Sequence, residues 1–156
     1  MTGRSAAGTR GAALLSGCDG VHDNMGFWAD HLAEQGRRAL IVDSHGPRGL
    51  DQYEAWRLVC IGQVLSGAER AGDLAVALSD AASSGSTVVL GASHGGWTTM
   101  EFLRLAVTGQ IPPGLRRWPR DPARLLNGLD AVVLLYPYCG LLNGADEGDW
   151  SATPPI

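Results

Sequence analysis

Short apolar runs alternate along the chain with stretches whose apolar positions recur every three to four residues, a rhythm that predicts strands alternating with helices. Gly11–Ser16 (GAALLS) reads as a buried strand, followed by the loop Gly17-Cys18-Asp19-Gly20. Asp23 or Asn24 caps a helix that runs through Phe27, Trp28, His31 and Leu32 and ends at Gly36. Arg38–Asp43 (RALIVD) is the second strand, Ser44–Gly49 turns, and 52–64 is partly helical. Glu69–Ala82 is a helix with Leu74, Ala77, Leu78 and Ala81 on one face. Ser86–Leu90 (STVVL) is the third strand, and it runs through Gly91 into a helix from Gly95 to Val107. Residues 110–124, rich in proline and arginine, read as a loop, and Leu129–Tyr136 is the fourth strand. From Leu141 onward Gly, Asp and Pro dominate and no closing element follows.

Apolar strands separated by helices call for an α/β fold, a doubly wound and mostly parallel sheet of about four strands with helices on both faces. The chain divides into a tail over 1–10, a core over 11–140 and an irregular segment over 141–156. Ligands of such sheets gather at the carboxyl ends of the strands. The glycine-rich loops named above lie at those ends.

With 45% apolar and 18% charged residues and a net charge of −4, the chain has no general attraction to nucleic acid or to an anionic membrane. The short basic run Arg116-Arg117-Trp118-Pro119-Arg120 reads as a solvated loop. No apolar run approaches the ~20 residues of a membrane span. Cys18, Cys60 and Cys139 form no metal-ligand pattern, and three cysteines cannot all pair internally, so reduced thiols and a cytoplasmic location are expected. Leu15-Ser16-Gly17-Cys18 is similar to a lipoprotein attachment box, but the apolar stretch Ala12–Leu15 before it is shorter than a signal sequence requires.

Gly91-Ala92-Ser93-His94-Gly95 is a G-x-S-x-G sequence placed between a β-branched strand and a helix. In that setting the serine occupies a strained turn, and glycines on either side let neighbouring backbones approach. Ser93 is the candidate nucleophile, with the backbone N–H groups of His94 and Cys18 as the two oxyanion donors. The alternatives are Ser93 as a simple helix cap, and Cys18 as a rival nucleophile that lacks an elbow around it. Arg48, His22 and His45, on loops at the same edge of the sheet, are candidate substrate contacts. For Arg48 a structural ion pair is the competing reading. No metal or cofactor is implied.

LLSGCDGVHDN, IVDSHGPRG, GASHGGW and LLYPYCG resemble, in order, blocks of the dienelactone hydrolase family of α/β-hydrolases, and together they span Gly11 to Gly140. The resemblance implies a partial α/β-hydrolase fold and an enzyme that cleaves a small-molecule ester or lactone with a nucleophile, an aspartate and a histidine. Founding members use cysteine where this chain has Ser93, and Ser16 stands where the family has a histidine. In this fold the histidine follows the nucleophile along the chain. The four histidines are His22, His31, His45 and His94, and none lies beyond the position next to Ser93. The chain is therefore expected to be a truncated relative that lacks the downstream Asp and His, or else a catalytically inactive binding or partner domain that kept the elbow. His22 and His45 are the internal substitutes for the base, His31 reads as packing, and Asp146, Glu147 and Asp149 read as a solvated loop.

Overall fold

The computed structural model describes residues 10–81, 86–144 and 154–156. In chain order the elements are β1 (Arg10–Leu15), α1 (Asp23–Glu34), β2 (Arg37–Val42), α2 (Gln52–Glu54), α3 (Gly67–Ala81), β3 (Thr87–Ala92), α4 (His94–Thr108), α5 (Pro122–Asn127) and β4 (Leu129–Leu135). The four strands form one sheet in the order β2-β1-β3-β4, and every neighbouring pair is parallel. This is an α/β fold.

The strand side chains alternate between two cores, as the pleat requires. Ala13 and Leu15 of β1, Val89 of β3 and Val132 of β4 pack with Leu74 and Leu78 of α3, Phe102 of α4 and Leu125 of α5. Leu14 of β1 and Leu90 and Ala92 of β3 pack against Met25 of α1, with Trp28 and Leu32 at the margin. Helices therefore cover both faces, and β1 and β3, apolar on both, lie in the middle. β2 is one edge and leaves Leu40 exposed. β4 is the other, and at one point of it the Val132 N–H donates to the Pro155 carbonyl at 2.8 Å.

Several boundaries differ from expectation. The region 110–124 is not all loop: Asp121 accepts from the Arg124 N–H at 3.1 Å, Pro122 takes the first helical position, and α5 follows. That Asp-Pro pair is a helix-start signal whose meaning was masked by the prolines upstream. The segment 52–64 holds one α-helical turn, closed by an Asp51–Glu54 capping box, which widens into π-helical turns over Ala55–Val59. α1 starts after His22, whose side chain makes no capping bond. β3 runs on to Ala92, which brings Ser93 directly to the tip of a central strand.

Candidate active site

Ser93 has φ 51° and ψ −112°, a left-handed conformation that costs a non-glycine residue on the order of 1–3 kcal/mol. The surroundings enforce it. Its N–H donates to the Leu135 carbonyl at 2.9 Å, and its own carbonyl accepts from the N–H groups of Trp97 and Tyr138, both at 3.1 Å. The close approach depends on the flanking glycines. A Cβ on Gly91 would collide with the Gly95 carbonyl, and one on Gly95 would meet the carbonyls of Leu15 and Ser16, the latter at 2.7 Å. Ser93 stands before α4 but its side chain makes no capping hydrogen bond, so the helix-cap alternative has no support in the geometry.

The loop after β1 faces this turn. A Cβ placed on Gly17 would lie 3.9 Å from the Ser93 Cβ. Ser93, Cys18, Asp19, His22, Trp56 and Tyr136 line a cavity of about 700 Å³. A smaller space of about 130 Å³, also lined by Ser93, lies between Val59, Trp97, Tyr138 and Leu142. Among the described residues, no hydrogen bond takes up the Cys18 N–H.

The remaining candidates fall into two groups. His22 lines the larger cavity, and its Nε2 lies 3.1 Å from the Asp19 carbonyl and 3.3 Å from the Asp19 carboxylate. His45 is buried behind the loop, Nε2 on the Cys18 carbonyl at 3.0 Å, and lines neither cavity. Arg48 also lies outside both cavities. Its guanidinium is bidentate to Asp73 at 2.8 and 3.0 Å and donates to the Ser44 carbonyl at 2.8 Å, the structural ion pair offered as the competing reading. His31 is exposed, its ring stacked on Phe27. Asp146, Glu147 and Asp149 lie outside the described residues.

The cysteine expectation is overturned. Cys18 and Cys60 form a disulfide, because the loop after β1 and the turn after the π-helical segment meet above Ser93; Cys139 is free and exposed. Disulfides persist in oxidising surroundings, so the premise behind a cytoplasmic location is removed. Among the described residues no helix is long and apolar enough to cross a membrane.

Sequence reasoning missed Arg70, which is fully buried under the loop. It falls in step with Leu74 and Leu78 on the core-facing stripe of α3, where a charge is out of place, and that register was the available signal. Its Nη1 donates to the Ser16 carbonyl at 3.1 Å, the Gly17 carbonyl at 3.5 Å and His94 Nδ1 at 3.0 Å. Burial pushes its pKa down to about 10, with Asp73 opposing, and it stays charged at neutral pH. Burial, then the charges of Arg70 and His45, push His94 down to about 3. Burial and Arg70 also lower His45, against the pull of Asp43 and Asp19.

These shifts have a sign. An unfolded chain takes a proton at His94 below about pH 6.5, whereas the folded protein refuses it until about pH 3, so stability is full above 6.5 and declines as pH falls through that window. At pH 5 the expected loss from His94 alone is roughly 2 kcal/mol relative to pH 7. Urea unfolding at both pH values checks this, and His94→Asn is expected to flatten the difference.

The fold and this turn define a parallel α/β protein that presents a serine at the carboxyl end of a central strand. Comparison with protein-family models, with curated proteins and with solved structures finds no match to this chain.

Proposed function

We propose that the protein is a serine hydrolase of the α/β-hydrolase type that cleaves a carboxylic ester or lactone through Ser93. The observation that carries this reading is the left-handed Ser93 turn at the tip of β3, packed on glycines and facing the Gly17–Gly20 loop. The resemblance of four sequence blocks to dienelactone hydrolases points the same way. In the proposed reaction Ser93 Oγ attacks the carbonyl carbon and its proton passes to a base. The tetrahedral oxyanion is held by the Cys18 and His94 N–H groups, the alcohol leaves with a proton, and water releases the acid from the acyl-enzyme. Among the described residues, His22 is the imidazole that lines the larger cavity, with Asp19 beside it. The neutral, buried His94 side chain is spent on Arg70 and takes no part as a base.

The acyl group is assigned to the space of about 130 Å³ beside Ser93, which has room for about four heavy atoms, and the leaving alcohol to the cavity of about 700 Å³; short acyl chains are then preferred. The test is hydrolysis of p-nitrophenyl esters from acetate to octanoate: acetate and butyrate are expected to be cleaved, with kcat/KM falling at least about tenfold by octanoate. No Ser93-dependent hydrolysis of any of them would contradict the reading. A second reading, an inactive binding domain that retains the elbow as architecture, is favoured by one observation. Among the described residues no imidazole is hydrogen-bonded to the Ser93 hydroxyl.

A further inference from the structure

Arg70 is a fully buried cation with no ion-pair partner among the described residues, and its Nε and Nη2 have no hydrogen-bond partner. Burying such a group is costly, and a leucine or methionine at a core-facing helix position would ordinarily be more stable. What the guanidinium does in return is reach three groups that belong to the two halves of one site. It holds the Ser16 and Gly17 carbonyls of the loop after β1, and it holds the ring of His94, the residue that follows Ser93. His45 extends the pattern by holding the next carbonyl, that of Cys18.

In a trans peptide the C=O of one residue and the N–H of the next point in opposite directions. Drawing the carbonyls of Ser16, Gly17 and Cys18 toward Arg70 and His45 therefore turns the N–H groups of Gly17, Cys18 and Asp19 away from those two side chains. Successive amides turned to one side make a concavity for an anion. Gly17, Cys18 and Asp19 line the cavity that Ser93 also lines.

We propose that Arg70 is the positioning residue of the oxyanion hole, a single buried guanidinium that sets the Cys18 amide through the loop carbonyls and the His94 amide through the His94 ring. This deepens the hydrolase reading above and rests on it. Arg70 does not touch substrate. Its side chain bridges two donors that lie on different elements, β1's loop and the start of α4.

Phenylboronic acid tests this without requiring turnover. Ser93 Oγ adds to boron, the hydroxyl proton goes to buffer, and the resulting tetrahedral boronate places a negative oxygen in the hole. Wild-type protein is expected to give a tetrahedral boron-11 signal that disappears in Ser93→Ala. Arg70→Lys, whose ammonium ends one bond short of the Nη1 position from which all three contacts are made, is expected to bind phenylboronic acid at least about tenfold more weakly per folded molecule, with folded fraction read by circular dichroism. In ester hydrolysis the same variant should lower kcat with KM nearly unchanged, whereas a merely structural role would lower only the folded fraction. A measurement on the unmutated protein covers the case in which Arg70→Lys does not fold. There, adduct formation should shift the Arg70 side-chain nitrogen signals together with the Cys18 and His94 amides. Full boronate affinity in folded Arg70→Lys, or Arg70 signals unmoved by the adduct, overturns the inference alone. A wild-type protein without a Ser93-dependent adduct overturns the hydrolase reading and this inference with it.

Discussion

Replacing Cys60 with serine is expected to lower the stability of the oxidised protein by about 4 kcal/mol. The Cys18–Cys60 bond closes a loop across a sequence separation of 42, and removing such a cross-link restores chain entropy to the unfolded state by about that amount. The loss has a local consequence too, because Cys18 supplies one proposed oxyanion donor and both cysteines border the two spaces that Ser93 lines. The loop would then be held by Arg70 and His45 alone. Urea unfolding of oxidised wild type, reduced wild type and Cys60→Ser measures the effect, with the last two expected to coincide. A difference below about 1 kcal/mol, or an intact mass showing three free thiols in protein isolated without reductant, would contradict it.

Replacing Ser93 with alanine is expected to lower ester hydrolysis on the order of 10²-fold or more while leaving the melting temperature unchanged or raised. Loss of the proposed nucleophile removes the covalent route, and what is left is acceleration by the proposed oxyanion donors and binding alone. Stability is expected to hold because the Ser93 side chain makes no capping bond and the strained backbone gains nothing from the hydroxyl. Glycine at the same position would relieve the left-handed strain and stabilise by about 1 kcal/mol, with the same loss of activity. A variant that lost activity through unfolding would show a lowered melting temperature, and the two causes separate on that reading.

The central strand, turn and helix were legible in the sequence because their signals are local. STVVL is β-branched and apolar, the glycines at 91, 95 and 96 sit where backbones touch, and the helix that follows is periodic. Contacts between residues remote in sequence were not legible. Cys18 meets Cys60, and Arg48 meets Asp73, only once the β2-β1-β3-β4 order has folded their loops together at one end of the sheet. Composition could count three cysteines but could not pair them. Arg70 was legible in principle, since helical spacing sets it in line with Leu74 and Leu78. Its signal is weak because arginine on a helix is ordinarily solvated. The helix Pro122–Asn127 was hidden for the opposite reason, a correct local signal embedded in a proline-rich stretch that argued for a loop.

The most direct test is to treat the folded, oxidised protein with a fluorophosphonate and map the adduct by peptide mass spectrometry. One phosphonyl group on the peptide bearing Ser93, absent from Ser93→Ala and slowed in Arg70→Lys, is the result predicted here. An unlabelled protein, or label spread over other serines with residue 93 untouched, would contradict the claim that this turn presents a reactive hydroxyl.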